Sequence, residues 1–263
     1  MDRAEWRLGT GILLLLGVFL IAETLCGKGS IAIRIDAQLL APGAAAPFGT
    51  DELGRDILAS TAHAGIFSAL LALLVTLLAV GGGSGIGLAA GLAGGFPQRL
   101  TMAITDCLLA FPGLLLAIAL AVFVGPGLIG MVAALTLPAS AAICRVLAAE
   151  AARYRDAEFL AVARAAGANR WWILSRHLAR LARPLLVVRT TQLIPQVVLA
   201  EATLTFLGLG ISPQQPSLGQ MIEVGRHHLG DNPWMMVLPG LCLGAMTLGL
   251  GLLGEGVRQR TVR

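Results

Sequence analysis

The chain has 263 residues, 56% of them apolar and only 13% charged, where an ordinary soluble domain carries about 25% charged residues. So few charges cannot cover the surface of a soluble enzyme of this size, and the dominance of apolar residues, with a mean hydropathy of +0.81, excludes low-complexity disorder. The net charge of +4 rests on 19 basic residues, of which Lys28 is the only lysine, and the composition is that of a polytopic membrane protein. Windows of about 20 apolar residues predict six spans, at roughly 8–26, 66–95, 102–124, 128–149, 184–210 and 233–254.

In the first of these, Arg3 and Arg7 precede an apolar run from Leu8 to Cys26, with Glu23 near its end. No small-x-small cleavage pattern follows, so the run reads as an uncleaved anchor rather than a signal peptide. The second span carries Gly83, Gly87, Gly91 and Gly95 four residues apart, a spacing that lets a second helix backbone approach closely. That seam fits packing within the chain or a subunit interface. Pro112, Pro138, Pro195 and Pro239 fall inside spans, where each removes a backbone donor and permits a kink. Among ionisable groups in spans, Asp106 lies near one end of the third and Glu201 in the middle of the fifth, beside Gln192, Gln196, Thr203 and Thr205. Such groups usually face the bundle interior, so Glu201, Gln196 and Asp106 are candidates for the translocation path or a gate, with an interhelical hydrogen bond as the structural alternative.

Arginine sets the orientation, because basic loops stay on the cytoplasmic side. With the N-terminus inside, 15 of the 19 basic residues fall on inside segments, nine of them between Arg145 and Arg189. The expectation is an all-α membrane protein of six transmembrane helices with both termini cytoplasmic. The positive charge then calls for no nucleic acid. Cys26, Cys107, Cys144 and Cys242 are isolated, so neither a disulfide nor a metal site is expected, and His227, His228 and Asp231 read as an exposed polar loop rather than a metal site.

The longest inside segment, about 150–183, has helical order of its own. Asp156 is placed to cap a short helix over 156–167 whose apolar positions are Phe159, Val162, Ala163 and Ala166, and Gly167 is placed to end it. Asn169 then starts a second helix with Trp171, Leu174, Leu178 and Leu181 on one face and Arg176, Arg180 and Arg183 on another, suited to the headgroup region. The first helix is amphipathic yet lies beyond the membrane, so its apolar stripe requires a protein surface.

This loop resembles the "EAA" loop of binding-protein-dependent ABC importer permeases: Gly167 matches its glycine, Ala163 the last alanine, and His177-Leu178-Ala179-Arg180 its final block. Ala161 stands in place of the glutamate and Arg180 in place of the proline. Other segments are similar to the dipeptide, oligopeptide and nickel subfamily: Gly49-Thr50-Asp51-Glu52-Leu53-Gly54-Arg55-Asp56, then Asp106 through Pro112, Glu201 through Gly210, Pro216 through Gly219, and Leu253 through Arg258. The resemblance implies the type I ABC importer permease fold in the bacterial cytoplasmic membrane. Its parts are an anchor helix (1–27), a periplasmic segment with GTDELGRD (28–65), a five-helix core (66–258) with the coupling loop at about 150–183, and a cytoplasmic tail (259–263).

It also implies a homologous second permease, separate ATP-binding cassette ATPase subunits and an extracytoplasmic substrate-binding protein as partners. No catalytic residue and no cofactor are expected in this chain, ATP and Mg being used by the ATPase. The residues agree, because a P-loop needs G-x-x-x-x-G-K-[ST], whereas Lys28 is followed by Gly29 and Ala22 stands where the first glycine belongs. The implied ATPase-coupling residues are Asp156, Glu158, Phe159, Ala163, Arg164 and Gly167. A small peptide is the expected solute, with nickel or a metallophore complex as the alternative. A self-contained secondary transporter would call for inverted repeats, which the sequence lacks, and would leave the amphipathic loop unexplained.

Overall fold

The computed structural model describes residues 9–14, 17, 21, 32–44, 46–210 and 215–261. Among them the chain is helical, with no strand beyond an isolated bridge between Thr50 and Asp56. The long helices are α1 (Ile57–Ala93), α2 (Gly95–Leu109), α3 (Gly113–Val124) and α4 (Leu128–Tyr154), followed by a short α5 (Glu158–Ala165) and α6 (Arg170–Ile173). A π-turn over Leu174–Leu178 and the short α7 (Ala179–Leu181) lead into α8 (Arg183–Phe206), α9 (Leu218–Gly225) and α10 (Trp234–Thr261). Four of these, α1, α4, α8 and α10, are long and apolar enough to cross a membrane, and α2 with α3 makes a fifth if that bent pair is one span. Most of the predicted first span lies outside the described residues; of it, Gly9–Leu14 is helical and meets α10, where Gly9 faces Leu252 and Leu13 faces Gly249.

Two boundaries differ from the sequence expectation. The helix predicted from residue 66 begins at Ile57, so residues 57–65 belong to α1 rather than to the preceding segment. The single span expected over 102–124, with a kink permitted at Pro112, is two helices that bend by 91° across residues 110–112. Pro112 supplies the reason: at φ −54 and ψ 126 it leaves the helical region, and it has no N–H to continue the α2 ladder. Pro138, Pro195 and Pro239, by contrast, sit inside continuous helices.

GTDELGRD builds the start of α1. Asp56 caps the helix, its Oδ1 accepting from the backbone N–H of Leu58 and Ala59 at 2.8 and 3.1 Å. Asp51 is buried, accepts from the N–H of Leu53 and Arg55 at 2.9 and 2.8 Å, and takes the Arg55 Nε hydrogen at 2.7 Å. Thr50 ties the turn to the preceding loop, accepting from Leu40 N–H and donating to the Ala37 carbonyl. Gly54 must be glycine: its φ is +70, and a Cβ there would collide with the Arg34 carbonyl oxygen.

The glycine stripe of α1 packs within the chain. Gly83, Gly87 and Gly91 lie against Ser140, Cys144 and Ala148 of α4, so the two helices run parallel with backbones in contact. Gly95, the fourth member of the predicted stripe, falls in α2 and meets nothing. Because α1 and α4 run parallel, their C-terminal ends lie at the same end of the bundle. There a second apolar cluster joins Leu88, Leu92 and Leu147 to Leu160, Ile173, Leu174 and Leu178 of the loop that follows α4.

Candidate functional site

The loop helix α5 has two apolar sides with different fates. Leu160 is completely buried in the cluster with α1 and α4, while Phe159 and Val162 are 41% and 69% exposed. Ala163 is half-buried and Ala166 exposed, so the predicted stripe faces outward and Leu160, absent from the stripe, anchors the helix. The helix ends as the glycine indicates: Gly167 has φ +87, its N–H reaches the Arg164 carbonyl, and Ala168 N–H reaches Ala163. Its start is different. Ala157 is the N-cap with no side-chain bond, and Asp156 is exposed beside Arg155 at 3.7 Å instead of capping. Ala157 takes the extended conformation just before Glu158, which sets the first turn one residue beyond the reach of the Asp156 carboxylate. Glu158 is exposed on that first turn, and Arg164 donates to the Arg155 carbonyl at 3.1 Å.

Asn169 caps the next helix, accepting from Trp172 N–H at 2.7 Å, as its sequence position suggests. The buried face matches the predicted one only in part. Leu174 and Leu178 of that face are buried, joined by Ile173 and Ala182, while Trp171 and Leu181 are exposed, and a π-turn over Leu174–Leu178 interrupts the ordinary helical register between them. The loop is therefore clamped to the ends of α1 and α4 from two sides. Rings close the gap between its two helices: Phe159 stacks near His177 at 5.9 Å, and Trp172 meets His177 edge-on at 5.0 Å.

In the bundle, α2, α3, α4 and α8 enclose a groove of about 430 Å³. Gln196 and Thr203 are its polar side chains, against apolar walls from Leu109, Leu135, Leu193 and Val197. Asp106 lies one turn before Leu109 and Arg145 one turn after Ala142, and their side chains pair at 3.1 Å, each about half exposed. Glu201 faces the other way. It is completely buried, and Ser68 Oγ of α1 donates to its Oε2 at 2.7 Å. The structure thus places Gln196 in the groove, Asp106 a turn beyond its lining and paired with Arg145, and Glu201 at the α1–α8 contact.

At the opposite end of the bundle lies a feature the sequence reading lacked. Ser217 caps the amphipathic α9, whose Leu218 and Met221 are buried, and Gly219 and Gly225 press on the backbones of α8 and α10. The cue was Ser217 followed by Leu218, Met221 and Ile222 at helical spacing, within a segment too short to register as a span. His228 of the following turn contacts Glu52 of GTDELGRD at 2.7 Å, and His227 lies 3.5 Å from Glu223.

Residues 83–263 match the family model described as the binding-protein-dependent transport system inner membrane component. The chain is 32% identical to a probable D,D-dipeptide transport system permease of Escherichia coli, over 94% of this chain and 83% of that one. It is 34% identical to a putative peptide transport system permease of Brucella suis (98% and 88% covered) and 34% to a glutathione transport system permease of Pectobacterium atrosepticum (83% and 72% covered). The chain belongs to the family of inner-membrane components of binding-protein-dependent transport systems: it is a permease subunit of an ABC importer, a multi-pass protein of the bacterial inner membrane whose ATPase is a separate chain.

Proposed function

We propose that this subunit carries peptides delivered by an external binding protein, along a path formed by the groove of α2, α3, α4 and α8 together with a homologous second permease. The relatives named for D,D-dipeptide, peptide and glutathione transport support the peptide class and give the nickel reading no support. Six spans and cytoplasmic termini complete the architecture, with the loop end of α1 and α4 on the cytoplasmic side. In this reading Gln196 faces the solute, the Asp106–Arg145 pair closes the cytoplasmic end of the groove, and the Ser68–Glu201 bond holds α1 to α8 as the gate moves.

The observation that carries the proposal is α5, exposed on its Phe159–Val162 side and fixed to the bundle by Leu160. A helix that presents apolar side chains to water on one face and is bolted to two spans on the other transmits force between a docked ATPase and the membrane domain. Glu158 lies beside the docking face, Ala163 permits close approach, Gly167 ends the helix, and Asp156 and Arg164 flank it. ATP binding by the ATPase dimer then draws the two coupling helices together and opens the bundle outward. Glu158→Lys combined with Phe159→Ala is expected to abolish co-purification with the ATPase subunits. An intact complex with normal transport contradicts the assignment.

A further inference from the structure

Beside α5 lies a polar cavity of about 380 Å³, set off from the outward Phe159–Val162 face; it shares Asp156 and Arg164 with the residues that flank the coupling helix, and Arg155 and Arg170 have no part in that role. Leu92, Ala93 and Ile173 form its apolar wall, and Arg155, Arg164 and Arg170 its charged one, with Asp156 as the acidic residue at its edge. Three guanidinium groups thus meet one carboxylate. Arg155 is fixed in place, its Nη1 donating to Gln98 at 3.1 Å and lying across Gly94, where a Cβ would strike it. Arg164 spends one donor on the Arg155 carbonyl. The Arg170 side chain has no hydrogen bond or ion pair among the described residues. Asp156 points largely into solvent, 86% exposed, and sits 3.7 Å from Arg155 Nε. The cavity therefore holds uncompensated positive charge and unused guanidinium donors.

Its position argues for what it binds. Arg164 is four residues from Leu160, so it shares the face of α5 that turns toward the bundle, whereas the exposed Phe159 and Val162 point elsewhere. The cavity opens at the last turn of α1. That helix, 37 residues long, extends about 55 Å and outreaches a hydrocarbon core of about 30 Å, long enough for its last turn to stand clear of the hydrocarbon. Exposed Trp171 and Trp172, next to Arg170, are side chains suited to the membrane interface. We infer that the Arg155–Arg164–Arg170 cavity binds the phosphate of an anionic phospholipid headgroup, with Leu92, Ala93 and Ile173 against its glycerol end, and so ties the coupling loop to the inner leaflet. Guanidinium forks match phosphate oxygens, and a net negative headgroup neutralises the excess charge better than a zwitterionic one.

The test is native mass spectrometry of the assembled transporter, released from detergent after exposure to dioleoylphosphatidylglycerol or dioleoylphosphatidylcholine. Phosphatidylglycerol is expected to remain bound and phosphatidylcholine to leave, and Arg164→Gln with Arg170→Gln should weaken phosphatidylglycerol retention about tenfold or more. The mass of the complex in the same spectrum reports whether the variant is assembled. Arg170→Gln alone, outside α5, gives the same reading in smaller measure if the double variant dissociates. Retention that does not change in either variant overturns the inference, as does displacement by millimolar inorganic phosphate, which would make a soluble anion the ligand. Loss of the ATPase with lipid retention intact also overturns it and assigns the arginines to the ATPase contact. None of these readouts depends on the solute, so a failure here leaves the peptide proposal standing.

Discussion

Glu201 has no access to solvent, and among the described residues its Oε1 has no hydrogen-bond partner, so Ser68 is the contact that makes its burial tolerable. Ser68→Ala is expected to destabilise the protein by about 1 kcal/mol, read as a lower melting temperature in detergent, while Glu201→Gln, which can accept the same bond, stays close to the parent. The Asp106–Arg145 pair behaves oppositely. Both side chains are about half exposed, and such a pair contributes about 0–1 kcal/mol, so Asp106→Asn should leave the melting temperature nearly unchanged. If the pair closes the groove, the same variant changes the transport rate. A third case is Asp51, buried against Arg55 at 2.7 Å before α1 begins. Asp51→Ala leaves the guanidinium without that carboxylate and removes two backbone acceptor bonds, and is expected to cost about 3 kcal/mol or more, measured as loss of folded protein on size-exclusion chromatography.

At the scale of elements, the seam between α1 and α4 sets where the coupling loop sits. A Cβ at Gly87 would stand 2.5 Å from the Cys144 carbonyl oxygen, so Gly87→Val must push the helices apart, at about 1–3 kcal/mol. Leu160→Ala removes the anchor of α5 and leaves its outer face untouched. Docking of the ATPase is then expected to persist while stimulation of its activity by the binding protein falls, separating the anchor from the docking face. Much of this loop was legible from single residues: Gly167 ends α5 in the left-handed region, and Asn169 caps the next helix, because both signals are local. What periodicity could not show was the π-turn at Leu174–Leu178, or that Ile173 and Ala182 take the places of Trp171 and Leu181 on the buried face. Nor could a hydropathy window find the 91° bend at Pro112, since both arms are apolar, or the Asp51–Arg55 pair, whose burial depends on the loop that precedes it.

For the whole molecule, the charge distribution and the packing agree. The arginine-rich segment folds onto the ends of two parallel helices instead of hanging free, and the outward apolar stripe of its eight-residue helix is left exposed by the chain's described residues. The energy source is another chain, so the membrane domain is driven through that contact. The groove was only partly legible in sequence: Gln196 announced itself as a polar group in an apolar run and Pro112 permitted a kink, but neither fixed the 91° bend between α2 and α3 that opens the groove. The most direct measurement of the central claim uses Val162, the most exposed large apolar residue of α5, in the complete transporter reconstituted in proteoliposomes with its binding protein. Val162→Asp is predicted to reduce binding-protein-stimulated ATP hydrolysis and ATP-driven uptake together by about tenfold, the loss of roughly 1.4 kcal/mol of apolar contact. Full stimulation and uptake with Val162→Asp in an intact complex would contradict it.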